Sequence, residues 1–403
     1  MKKIITVITF LVGFITYSQT LNEYVTIARQ NNSGIKTKNT EFELAIEKIY
    51  VVSNYENTEL SLGVFALTPE TRVGSQLFKI GASQKLPWFG EFETRRKLQT
   101  AIASIKKYDI FLSQRELDFR VKKAYYELYQ KLVINSILKE NKQILKTYEK
   151  MALAALSNNK AMMSDVLNIK VQKNELHSKI FINENETNAL NRNFNRLLQR
   201  DINTNLLIVD SLNVLDILVS NKVINTHPIL DKIYAKNKIN QVNLEVIDLD
   251  KKPKISVGLD YVLVDKRSDI DVLENGKDIF MPKVALSIPI FNGKKFTSRK
   301  KITHLEEKII NSQIENEKYN LEMELENAIL ALDNAIVKVV SAQKNKEESQ
   351  RAINVDLKAY ETGILNYDKI LQLQLQKIKY QLLEIEATKN AFIAKAKVAY
   401  LTN

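Results

Sequence analysis

Apolar residues recur along the chain with two periods. In one stretch Ile255, Val257, Leu259, Tyr261 and Leu263 alternate with Ser256, Gly258, Asp260, Val262 and Val264. A return segment alternates Phe280, Val284, Leu286 and Ile288 with Lys283, Ala285 and Ser287. Earlier, Phe78, Ile80, Ala82 and Leu86 alternate with Lys79, Gly81, Ser83 and Lys85. A period of two predicts strands with one apolar and one small or polar face, at about 58–67, 77–87, 254–264 and 279–289. Elsewhere the spacing is three and four, as at Leu98, Ile102, Ile105 and Leu112, and at Leu321, Leu325, Ala328, Leu332 and Ala335. It predicts helices at about 91–158, 164–200, 296–362 and 367–401. The first and third contain no proline, and at about 1.5 Å per residue each would run roughly 100 Å. Rods of that length bury an apolar row only against other rods, as coiled coils do.

The plan occurs twice. Glu59-Leu-Ser-Leu-Gly-Val is echoed without a gap by Lys254-Ile-Ser-Val-Gly-Leu. Leu86-Pro87-Trp88-Phe89-Gly90 is echoed by Ile288-Pro289-Ile290-Phe291-Asn292-Gly293, and Ser164-Asp165-Val166-Leu167 by Tyr367-Asp368-Lys369-Ile370-Leu371. Three echoes in one order predict a structural repeat over 19–213 and a second over 214–403. Ahead of them, Met1-Lys2-Lys3 and the apolar run Ile4 to Phe14 lead to Thr16-Tyr17-Ser18, with small residues where a signal peptidase reads. Residues 1–18 are expected to be a secretory signal. The alternative is an apolar helix packed in a core.

Composition narrows the class. Six prolines and ten glycines in 403 residues favour helix. With no cysteine, neither disulfides nor thiolate metal sites can form. His177, His227 and His304 stand far apart in sequence, so no metal site is expected. The net charge of +12 comes from lysines spread among glutamates and asparagines along helical stretches, a solvated face and not a nucleic-acid footprint. After the signal, no run approaches the roughly 18–20 apolar residues of a spanning helix. Membrane insertion would then need a closed barrel. A half-buried soluble sheet has the same alternation. Four strands cannot enclose a pore, so lipid exposure would require several chains to share one barrel. No triad, phosphate loop or acid/base carboxylate pair stands out. No catalytic residue, cofactor or metal is expected.

With these features the chain resembles the outer-membrane efflux protein family, the TolC-like channels. The residues that carry the likeness are Ser83-Gln-Lys-Leu-Pro-Trp-Phe-Gly90, Ser287-Ile-Pro-Ile-Phe-Asn-Gly293, and Tyr360-Glu-Thr-Gly363 followed by Asp368-Lys-Ile-Leu371. The resemblance implies a mainly α chain with a membrane β-barrel portion. Three copies would each give four strands to a shared twelve-stranded barrel, joined to a long helical tunnel. The implied place is the outer membrane, with the helices in the periplasm. The implied partners are outer-membrane lipid, a periplasmic adaptor (a membrane fusion protein) and an inner-membrane pump. The implied function is passive export of metal ions or small toxic compounds, and the Leu-Pro-Trp-Phe-Gly form resembles members that accompany heavy-metal pumps. The competing readings are a periplasmic adaptor or coiled-coil scaffold and an exported carboxylate enzyme.

The same resemblance selects candidate residues. Asp368, just past a glycine turn, would bring three carboxylates around a threefold axis, or would cap a helix as Asp commonly does. Asp165 is its counterpart in the first half. Tyr360 matches a tyrosine that hydrogen-bonds across helices, or it packs beside the turn. After Gly363 the family's basic residue is replaced by Ile364 and Leu365, so an apolar constriction or a looser tip takes the place of a salt-bridged lock. Met162 and Leu365 occupy matching places and would touch a partner hairpin. Pro87, Trp88, Phe89, Gly90, Pro289, Phe291 and Gly293 are expected where strand becomes long helix, with Trp88 and Phe89 near a membrane boundary.

Overall fold

The computed structural model describes residues 20–67, 69–204, 206, 208, 212–214, 224, 226–269, 273–361 and 367–402. The expected signal at 1–18 and the turn residues Gly363 and Leu365 lie outside the described residues. The elements in chain order are α1 (Leu21–Asn31), α2 (Ser33–Val51), β1 (Glu59–Val64), β2 (Glu70–Thr71), β3 (Gly74–Leu86), α3 (Glu91–Ser157) and α4 (Met163–Leu197). They continue as α5 (Pro228–Leu249), β4 (Lys254–Val264), β5 (Ile279–Ser287), α6 (Gly293–Glu361) and α7 (Tyr367–Thr402). The chain is mostly helical with one small antiparallel sheet, and it forms two compact units. Each unit draws on both halves of the sequence.

One unit lies within Met1–Ser33, Gln114–Asn225 and Leu321–Asn403. No glycine or proline interrupts its share of α3, α4, α6 or α7, so the backbone ladder is unbroken. On α6, Leu321, Leu325, Ala328, Leu332, Ala335, Val339 and Ala342 are buried in steps of four and three, the seam of a coiled coil. A second core joins Leu138, Leu145, Tyr148 and Ala152 of α3 to Val166 and Ile169 of α4 and Ile370 and Leu371 of α7, with Leu357 and Tyr360 of α6 packed against it. α1 docks through Tyr24, whose ring meets Phe194 edge-on at 5.3 Å, and through the Arg29–Asp118 pair. The turn from α3 to α4 closes with Asn159 in the left-handed region (φ 57). Lys160 N–H bonds back to Ala155 O and Asn159 N–H to Leu156 O, which satisfies the last carbonyls of the helix.

The other unit, Gly34–Ser113 with Thr226–Asn320, contains the sheet. Its strand order is β1-β3-β4-β5 with all pairs antiparallel, and the two-residue β2 adds to β3. The hairpin β1/β3 from the first half therefore pairs with the hairpin β4/β5 from the second, through β3 and β4. Beneath it, α5 packs Ile233 against Ile310 and Ile314 of α6. The Asn240 amide, itself buried, donates to Thr303 O at 2.7 Å across the same contact.

Candidate functional site: a two-faced sheet and a helical turn

The sheet is built against the usual rule for a water-soluble protein. Register puts Leu60, Leu62 and Val64 of β1 opposite Ala82, Ile80 and Phe78 of β3, and puts Ile80 and Ala82 opposite Tyr261 and Leu259 of β4. Val257, Leu259 and Tyr261 then face Val284, Pro282 and Phe280 of β5. These residues share one face, and that face is open: Leu60 is 80% exposed, and Val64, Phe280 and Val284 are exposed as well. On β4 Val257, Leu259 and Tyr261 are exposed while Asp260 between them is 1% exposed, and Val262 and Val264 are buried on the Asp260 face. A contiguous exposed apolar face of this kind marks contact with lipid or another chain. No helix among the described residues is long and apolar enough to cross a membrane.

The opposite face holds the charges. Lys79 of β3 and Lys283 of β5 each place Nζ 2.6 Å from the Asp260 carboxylate. Neither lysine nor Asp260 was singled out from sequence as a site residue. The signal was present in an acid within an apolar run and in Gly81 and Gly258 inside strands, where glycine marks a close approach.

Where β3 turns into α3, Pro87 and Trp88 are half-buried and Phe89 is exposed, with the Trp88 and Phe89 rings edge-on at 6.1 Å. Gly90 has φ +79, a conformation that favours glycine, and Glu91 folds back to accept the Trp88 N–H at 3.2 Å. The second junction differs. Pro289 is half-buried, Phe291 is 98% exposed and Gly293 opens α6 without a positive φ. There Asn292 O accepts Phe296 N–H at 3.1 Å, so the duplicated sequence reaches the same strand-to-helix step by two backbone routes.

At the helical turn, Met162 is exposed and precedes α4. Asp165 in its first turn accepts the Met162 N–H at 2.9 Å, which is a capping role. Tyr360, near the end of α6, packs on the α3/α4/α7 core. Burial, and after it the Asp165 carboxylate, holds its phenol above the usual range. The structure thus brings together Tyr360 and Asp165, which come from different halves of the sequence. Asp368 lies in the first turn of α7 and accepts from Gln372 Nε2 at 3.3 Å. Its neighbour Lys369 reaches Asp356 of α6 at 3.8 Å. Among the described residues no three histidine or acidic side chains gather as a metal site requires.

This fold is that of the TolC-like outer-membrane efflux channels. The crystal structures of CusC, which concern folding and transmembrane channel formation, match with a TM-score of 0.76 at 14% identity, over 95% of this chain and 92% of that one. The outer membrane protein VceC of Vibrio cholerae matches with a TM-score of 0.72 at 10% identity, over 94% and 95%. The open state of the Neisseria gonorrhoeae MtrE outer membrane channel matches with a TM-score of 0.71 at 14% identity, over 94% and 88%. No family model and no curated protein matches the sequence.

Proposed function

We propose that this protein is the outer-membrane channel of a tripartite efflux system, a passive conduit and not an enzyme. The observation that carries the reading is the sheet with an exposed apolar face, charged residues on the opposite face and β1 and β5 at its two edges. Edge strands cannot stand open in hydrocarbon, so β1 of one copy pairs with β5 of the next, and three copies close twelve strands. A second observation supports self-association. On α6, Ile302, Leu305, Ile309, Tyr319, Met323, Leu330, Val337 and Val340 form an exposed apolar row at heptad spacing, on the side away from the buried seam. A helix with two such rows has two neighbours. In this reading a signal directs the chain to the periplasm, and the helices form the tunnel there. The tunnel meets an adaptor and an inner-membrane pump, and the cargo is metal ions or small toxic compounds.

Purification in detergent and sizing by light scattering test the assembly, with a trimer that conducts in planar bilayers as the expected result. A soluble, non-conducting monomer would favour the adaptor or scaffold reading. The orientation of the sheet is tested by Leu62→Lys against Ser61→Lys. The first places a charge in lipid at about 2–4 kcal/mol and should abolish membrane insertion, while the second faces water and should not.

A further inference from the structure

On the charged face of the sheet, Asp260 is held between two cations. Lys79 Nζ lies 2.6 Å from Oδ2, and Lys283 Nζ lies 2.6 Å from Oδ1. Two glycines make the room. A Cβ on Gly81 would come within 2.5 Å of Asp260 Oδ1, and one on Gly258 within 2.7 Å of Lys283 Cε. The carboxylate and the lysine stem therefore lie flat on bare backbone, where larger residues would lift them away from the wall. Two lysines against one carboxylate leave a positive charge over. Further along this face Lys85 stands between two carboxylates, Glu59 at 3.1 Å and Glu56 at 3.4 Å, a group of the opposite net sign, so the positive excess is local to Asp260 and its two lysines.

We propose that the Lys79–Asp260–Lys283 triplet is a selectivity element, a belt of fixed positive charge that favours anions over cations at the sheet end of the duct. The assignment rests on the channel reading, in which three copies surround a water-filled bore. Fixed charges on a low-dielectric wall concentrate counter-ions beside it, and rings of lysine are a known device for anion pores. The effect reaches about one Debye length, roughly 10 Å at 0.1 M salt, and widens at lower salt. Because the side chains lie along the wall, the charge is presented without narrowing the passage.

A triplet that only joined the two hairpins would give no sign to ion flow, and this separates the two roles. Reversal potentials are read in planar bilayers under a tenfold KCl gradient at low salt, for the full chain and for Lys79→Gln, Lys283→Gln and Asp260→Asn. Each lysine variant keeps one cation for Asp260, and Asn keeps the size and one acceptor. The expected result is opposite shifts: the anion-to-cation permeability ratio falls, by about twofold, in the lysine variants and rises in Asp260→Asn. Conducting channels whose reversal potentials do not move, or all move one way, overturn the belt and leave the channel reading intact. A wild-type protein that inserts in the membrane and carries no current overturns the channel reading, and the belt with it.

Discussion

Gln374 on α7 donates from Nε2 to Asn141 Oδ1 on α3 at 2.7 Å, and both side chains are buried. Asn141 passes its own amide protons to Gln381 Oε1 at 2.9 Å and to Ile137 O at 2.7 Å. Tyr148 O–H completes the group at 3.5 Å from Gln374 Oε1. Apolar rows alone would let α7 slide along α3 by a heptad, and a buried amide pair fixes one register. Gln374→Leu should destabilise the protein by about 1–3 kcal/mol, because Asn141 is left without its donor. Adding Asn141→Leu should restore part of that, since the buried Asn141 amide no longer stands unpaired, while Gln381 Oε1 and Tyr148 O–H give up their bonds to the pair. Thermal unfolding followed by circular dichroism reads both. A single variant as stable as the parent, or a double variant no better than the single, would reject the register role.

The mainly helical fold with its small antiparallel sheet was legible because both periods are strong where they occur. Leu321 to Ala335 announces a buried seam, and Ile255 to Leu263 announces a strand. The buried amides were not legible, since Asn141 and Gln374 sit in different halves of the chain and only folding makes them neighbours. The same limit hid the ion triplet, whose three members come from three strands. The likeness to efflux channels was readable from the order of weak motifs, because a repeated plan constrains topology more than any single motif does. The roles of Asp165 and Asp368 are another matter: a capping carboxylate and a pore carboxylate have the same sequence surroundings. The pairing of Tyr360 with Asp165 needed the structure as well.

The two strand-to-helix junctions should respond differently to alanine. At Gly90 the left-handed φ of +79 leaves no steric clash, yet a Cβ there is strained by the backbone itself, so Gly90→Ala should cost about 1–2 kcal/mol. At Gly293 a Cβ meets open space and no positive φ, and it starts a long helix. Gly293→Ala should be neutral, or stabilising by a few tenths of a kcal/mol. Paired denaturant titrations check the order, and equal effects at the two sites would contradict the asymmetry seen here.

Alkaline pH should loosen the helical unit through its buried phenols. Burial holds Tyr148 above the ordinary 10.0, and Tyr360 is raised by burial first and by Asp165 second. A phenol raised on folding is neutral in the fold. Its contribution is therefore complete below pH 10 and is lost as pH climbs through the raised value. Ultraviolet titration of phenolate absorbance should show late-titrating tyrosines, fewer in Tyr148→Phe. Asp165→Asn should bring the Tyr360 transition to lower pH by removing the nearby negative charge. A Tyr360 transition that stays where it was would mean that burial alone sets it.

Charge at the start of α7 gives the last expectation. Asp368 occupies the first turn, where an acidic side chain favours the helix whatever else it does. In a threefold assembly the same carboxylate would also ring the axis. Asp368→Asn removes the charge from both roles, but the helix role is worth only about 0.3–1 kcal/mol, so a change of ion preference with little loss of stability reports the ring. Cation preference in single-channel recordings should fall while trimer yield and unfolding temperature stay close to the parent, with the larger change at low salt. The direction is the same as that expected for Asp260→Asn, because removing either carboxylate lowers negative charge along the path. Both variants should shift the reversal potential toward anions, and Lys283→Gln toward cations. Distant sites add when they act independently, so Asp368→Asn with Lys283→Gln should lie between the two single variants. If Asp368→Asn leaves selectivity unchanged at low salt while Asp260→Asn moves it, the charge that ions sense lies in the sheet, and Asp368 serves the helix.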